Sequence, residues 1–127
     1  MRVYKHFALT RMIENIKSWD DYFMAVAHLS ALRSKDPRPS QRGRSGACIV
    51  DGSNRVVGIG YDGFPRGCPD DCLPWASADG DGVEWLHGRD AYMCRAEINA
   101  ILNKCSSDVV GARIFTPNFP CKNTFTE

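Results

Sequence analysis

No stretch of this sequence approaches the ~20 consecutive apolar residues of a membrane-spanning helix, so no membrane association is expected. Charge of one sign is also missing. The 16 Lys and Arg against 15 Asp and Glu leave a net +1, which gives no global attraction to a polyanion, so a small molecule fits better than nucleic acid. No secretory signal opens the chain, and its six cysteines are expected as reduced thiols in a cytoplasmic protein rather than as a disulfide framework. Internal repeats and low-complexity tracts are absent too. What remains, in 127 residues with 43% hydrophobic and 24% charged side chains, is the balance of one ordinary globular domain. Arg2, Lys5, Arg11 and Lys17 are opposed only by Glu14, which faintly resembles an amphipathic targeting helix; a plain N-terminal extension over 1–18, before a domain at 19–127, is the simpler reading.

From Trp19 to Arg33, Phe23, Val26, Ala27 and Ser30 recur at helical spacing, with Ser18 as the N-cap and Asp20 and Asp21 in the first turn. Asp36-Pro37 ends that helix, because a proline disfavours helical geometry in the residue before it. Residues 38–45 hold nothing apolar beyond Pro39 and are expected to be a solvated loop. Two β-rich runs, Ala47–Val50 and Arg55–Tyr61, flank Asp51-Gly52-Ser53-Asn54 and read as a hairpin. Residues 62–92 form a long Gly-, Pro- and Asp-rich loop of the kind that serves a site. Ala96, Ile98, Ala100, Ile101, Leu102 and Cys105 predict a second helix, and Gly111 precedes a third strand over Ala112–Thr116. The predicted class is α/β, in the order α-β-β-α-β. Three strands leave an edge without a neighbour, which calls for a partner or implies instability.

Glu97 opens the second helix two residues after Arg95, and Pro120-Cys121 follows the third strand. An acid at one helix start opposite a Pro-Cys at the next is similar to the zinc nucleoside deaminases, in which the acid shuttles protons around a metal-bound hydroxide. The runs WDDYFMAVAHLSALRSKDP (19–37), GACIV (46–50), VVGIGYDGFPRGCPDD (56–71), LPW (73–75) and CRAEINAILNK (94–104) extend the likeness over most of 19–121. On these runs the chain resembles the deoxycytidylate (dCMP) deaminase family. The resemblance implies a cytidine-deaminase-like fold with helices on a central mixed sheet, here lacking its C-terminal part. It also implies zinc, conversion of dCMP to dUMP, regulation by dCTP and dTTP, and a homo-oligomer. Glu97 would be the catalytic acid/base and Cys121 a zinc ligand. Arg33, Ser34 and Lys35, with Asp62, Gly63 and Gly67 of the glycine-rich segment, would contact substrate or effector.

The chain departs from that pattern at the metal. Arg95 stands where the family has a histidine ligand, and Thr124 where it has a second cysteine, so one of three protein ligands remains. Arginine has no lone pair to donate, and at ~4 Å with an effective dielectric of ~20 its charge would repel a divalent cation by roughly 8 kcal/mol. A guanidinium in the vacated position would be expected to pair with the Cys121 thiolate and Glu97. Asp62 replaces the family's asparagine, Arg42-Gly43-Arg44 reads as an insertion, and KNTFTE (122–127) leaves the family pattern. The rival functional readings are therefore a catalytically inactive partner of an intact paralogue, in a hetero-oligomer, or a nonfunctional truncated product.

Plainer readings stand beside several of these residues. Without a metal, Glu97 is an acid at a helix start, and the cations after the first helix are charges complementing its C-terminus. Gly60, Gly63 and Gly67 with Pro65 shape a turn whether or not it holds a phosphate. Cys68, Cys72, His87 and Cys94 match no standard zinc spacing, and Trp75 and Trp85 pin the long loop more readily than they stack a base.

Overall fold

The computed structural model describes residues 2–5, 16–37, 44–76, 82–105 and 108–118. Its elements are β1 (Arg2–Lys5), α1 (Trp19–Ala31), β2 (Gly46–Val50), β3 (Val56–Tyr61), α2 (Ala96–Leu102) and β4 (Arg113–Thr116), with short 3-10 turns at Trp85–His87 and Arg89–Ala91. The strands form one mixed sheet in the order β1-β4-β2-β3: β2 runs antiparallel to both of its neighbours, and β1 lies parallel to β4. The α/β architecture and mixed sheet agree with the sequence reading, but the three-stranded count does not. Arg2–Lys5, read as part of an extension with some character of a targeting helix, is a strand that covers the outer edge of β4. Four residues carry too little pattern to announce a strand whose hydrogen bonds come from the far end of the chain.

α1 begins where its cap says it should, since the Ser18 hydroxyl accepts a hydrogen bond from the Asp21 amide at 3.1 Å. Its inner face holds Phe23, Met24, Ala27, Ser30 and Ala31. The regular helix stops at Ala31, short of Arg33, and continues as a looser turn in which the Arg33 and Ser34 amides bond to the carbonyls of Ser30 and Ala31.

β2 is buried along its whole length because a helix covers each face. Cys48 and Val50 pack with Phe23, Met24, Ala27 and Phe115 on the α1 side, while Ala47 and Ile49 pack with Ala96, Ala100, Ala112 and Ile114 on the α2 side. The uninterrupted apolar run GACIV is what a strand buried on both faces requires. Asp51 closes the hairpin by accepting from the Ser53 and Arg55 amides, and Asn54 takes the left-handed conformation at φ 61°.

α2 lies directly on backbone. A Cβ added at Gly60 would stand 2.2 Å from the Ala96 carbonyl and 2.3 Å from the Ala100 amide, and one at Gly58 would stand 2.5 Å from the Ala100 carbonyl. The helix ends at Leu102, so two positions read as part of its apolar face are corrected: Leu102 is 72% exposed, and Cys105 is exposed beyond the helix with its amide bonded to Val57. Ala96 and Ala100 suffice for so close a contact. Ser45, expected in a solvated loop, is buried beside the α1 end of the sheet, whereas 38–43 lie outside the described residues.

Adding one methyl at Gly60 should therefore force backbone apart rather than displace a flexible side chain. Gly60→Ala is expected to cost about 2–3 kcal/mol or more in urea unfolding, while Gly52→Ala, with nothing within 4 Å, should stay within about 0.5 kcal/mol of the parent.

Candidate functional site

The site gathers where β3 ends and α2 begins. Gly63 and Cys94 exchange backbone hydrogen bonds at 3.1 and 2.8 Å, which ties the exit of β3 to the residue before Arg95. Asp62 lies at the centre of that tie. Its amide donates to the Ser45 carbonyl at 3.0 Å, its carbonyl accepts from the Ser34 hydroxyl at 2.6 Å, and its Oδ1 accepts from the Ala96 amide at 2.9 Å. Its Oδ2 lies 3.7 Å from Nη1 of Arg95. Asp62 is 4% exposed, and burial lifts its carboxyl to about 6, against the downward pull of Arg95 and the Ala96 amide; Glu97 and Asp36 add smaller upward contributions.

Glu97 is 5% exposed, and its Oε1 accepts from the Thr116 hydroxyl at 3.0 Å, so β4 holds it from across the core. Arg95 pairs with Asp62, not with Glu97, which corrects that half of the expected guanidinium arrangement. Cys121 and Thr124 lie outside the described residues.

A separate cavity of about 310 Å³ opens at the outer edge of β3, between the end of α1, α2 and the first part of the long loop. Of the residues expected to contact substrate or effector, Arg33, Lys35, Asp62 and Gly63 line it. Ser34 is buried behind it on the Asp62 carbonyl. Gly67 is not in the wall; it occupies a turn at φ +91°. Glu97 and Arg95 are not in the wall either. Arg33 lies over the Tyr61 ring at 6.0 Å, and Lys35 reaches Asp70 at 2.5 Å across the mouth. Trp75 pins the loop, bonding the Asp70 carbonyl through Nε1 and packing on Phe64, and it also lines the cavity. Trp85 is 57% exposed and lies outside the cavity.

Residue-by-residue reading missed Arg66, Asn99 and Asn103 in this wall. The two asparagines fall four apart, one on α2 and one at its C-cap, and so lie on the same side, a spacing that could have drawn attention to them. Both Nδ2 hydrogens of Asn99 are used, on the Tyr61 and Cys94 carbonyls, which leaves its Oδ1 as an acceptor.

The far end of the long loop is held by a buried ion pair. Arg89 is fully buried and its Nη1 meets Oδ1 of Asp36 at 2.5 Å, joining the loop to the segment just after Lys35. The Arg89 amide also bonds the Ala76 carbonyl at 2.8 Å. Among the described residues Nε and Nη2 of Arg89 have no hydrogen-bond partner, although Asp90 Oδ1 lies 3.9 Å from Nε, so Asp36 makes the short contact of the guanidinium.

Comparison with known proteins gives the family and the fold. Residues 17–124 match the family model described as the cytidine and deoxycytidylate deaminase zinc-binding region, and the chain belongs to that family. It is 50% identical to the deoxycytidylate deaminases of Homo sapiens and Mus musculus over 103 residues, covering 81% of this chain and 54% of each relative. The chain thus spans about half the length of the curated relatives it matches. In fold it matches a cyanophage S-TIM5 dCMP deaminase, solved in complex with dCMP and dUMP, with a TM-score of 0.60 at 22% identity over 82% of this chain and 68% of that one.

The described residues do not fit the zinc that the family description implies. Position 95 presents a cation committed to Asp62, the Asp62 Oδ1 is held by a backbone amide, and Glu97 is engaged by Thr116. Among the described residues no group of three or more His, Cys, Asp or Glu side chains is placed to hold a metal ion, and this includes Cys68, Cys72, His87 and Cys94.

Two outcomes follow. A carboxyl raised on folding contributes stability that is fully present below the unfolded value near 3.8 and is lost as the pH climbs through about 6. Urea unfolding from pH 4 to 7 should show this group removing on the order of 1–3 kcal/mol across that window, and Asp62→Asn should lack that component; identical pH profiles for the two proteins would refute it. Arg89→Ala, which removes the guanidinium from the buried Asp36 carboxylate, should cost about 3–5 kcal/mol, and Arg89→Met with Asp36→Leu distinctly less.

Proposed function

We propose that this chain is a nucleotide-binding member of the dCMP deaminase family that holds a pyrimidine deoxynucleotide in the cavity beside β3, and that it does not itself run the zinc-dependent conversion of dCMP to dUMP. The observation that carries this reading is the convergence of Arg33, Lys35 and Arg66 on one cavity that excludes Glu97. Three cations from two segments are the donors a phosphate needs, each charge-assisted contact being worth about 1.5–3 kcal/mol. Tyr61, Phe64 and Trp75 offer faces for a planar ring, and the Oδ1 of Asn99, without a partner among the described residues, suits an exocyclic amino group. Lys35 would exchange Asp70 for phosphate, so binding is expected to weaken with salt. dCTP or dTTP would present the same recognition chemistry with more charge.

Such a chain would act in the cytoplasm through association, with its own copies or with an intact relative. The reading of a working deaminase is favoured by the retained and buried Glu97 and by the 50% identity to deoxycytidylate deaminases. Isothermal titration with dCMP separates binding from chemistry. Arg33→Ala and Arg66→Ala should each weaken binding about 10- to 100-fold, whereas Arg55→Ala, on the distant hairpin, should not. Purified protein should contain well under one equivalent of zinc and form no dUMP. Stoichiometric zinc with turnover would establish the working deaminase instead, and absence of nucleotide binding would remove the proposal.

A further inference from the structure

Arg95 and Asp62 depart from the family pattern separately in the sequence, yet the fold brings them together. We infer that Arg95 is the counter-ion of Asp62 and acts through it as a positioning residue for the nucleotide cavity, rather than being the remnant of a metal ligand. This rests on the proposed nucleotide site and goes beyond it by assigning a role to a residue outside the cavity wall.

The argument starts from what Asp62 cannot do. Its backbone is fixed on both sides, by Ser45 and by Ser34, and its Oδ1 is fixed by Ala96. The carboxylate is therefore held away from water, and its side chain is only 5% exposed. Arg95 is the cation beside it, 40% exposed, so the guanidinium keeps part of its hydration while screening the buried charge. An imidazole in this place would be neutral through much of the physiological range and would leave the carboxylate unopposed. Asparagine at 62 would need no counter-ion at all. Asp62 is itself part of the cavity wall, between Tyr61 and Gly63, so whatever holds its backbone sets the shape presented to a ligand. The pairing also disfavours a metal: a cation there would have to displace Arg95 from Asp62 and would still face a carboxylate with one oxygen committed to backbone.

The test is a double-substitution cycle at pH 7.5, reading thermal midpoint and dCMP affinity together. Arg95→His is expected to lower the midpoint by about 3–6 °C and to weaken dCMP binding several-fold when Asp62 is present, and to do neither in an Asp62→Asn background. Arg95→Lys, which keeps the charge, should retain most of both. Equal effects of Arg95→His in the two backgrounds would overturn the inference, as would an Arg95→Lys protein no better than Arg95→His. If Arg95→His does not fold, purification of the Asp62→Asn and Arg95→His/Asp62→Asn proteins decides the matter, because the double variant must then fold and bind as well as Asp62→Asn alone. If no protein in the set binds dCMP while the midpoints still couple, the counter-ion role stands, and the positioning role falls with the nucleotide reading.

Discussion

The contact of α2 with the bare backbone of β3 sets the geometry of everything near the site. Gly58 and Gly60 present no side chain toward Ala96 and Ala100, and these alanines add only a methyl each, so helix and strand meet at backbone distance. That closeness lets the Asp62 carboxylate, just beyond the strand, reach the Ala96 amide at the start of the helix. It also delivers Glu97 into the core against Thr116 and turns Asn99 toward the Tyr61 carbonyl. With a larger residue at either glycine the helix would move outward, and all of these bonds would be lost together, since they share one rigid helix.

The same closeness divides the site into two compartments. Glu97 faces the sheet interior, where it accepts from a hydroxyl, while Asn99 of α2 and Asn103 at its C-cap line the cavity at the sheet edge. The cations of the cavity come from the turn after α1 and from the long loop, and both segments are anchored by buried charge. Asp36 and Arg89 lock the turn to the loop, and Asp62 locks the strand exit to α2. Buried ion pairs give weak net stability, because desolvation offsets most of their attraction, yet losing one partner is severe. They therefore specify where these segments sit more than they strengthen the fold.

Much of this was legible in the sequence wherever the governing interaction is local. Ser18 three residues before Asp21 announces the start of α1, Asp51-Gly52-Ser53-Asn54 announces the hairpin, and GACIV announces a strand covered on both faces. Legibility failed where the deciding partner is distant. The pairing of Arg2–Lys5 depends on β4, and full burial of Arg89 depends on Asp36, 53 residues away. A charged residue in a polar loop is ordinarily read as solvated, and nothing near Arg89 says otherwise. Arg33, Lys35, Asp62 and Gly63 were named through resemblance and do share a cavity, whereas Gly67 is a glycine for its own turn.

The two departures at positions 62 and 95 show why substitutions in a family pattern are best read in pairs. Taken alone, Arg95 is the loss of a metal ligand and Asp62 is an unwelcome anion beside a nucleotide. Taken with the 3.7 Å between them, each changes the cost of the other. A guanidinium is harder to place beside a metal than beside a carboxylate, and a buried carboxylate is easier to keep beside a permanent cation than beside an imidazole. Unconstrained drift gives no reason for the second change to fall within reach of the first and with the opposite sign. The two residues are better described as a pair of opposite charges, one of which, Asp62, also lines the cavity that Arg33, Lys35, Arg66 and Asn99 share.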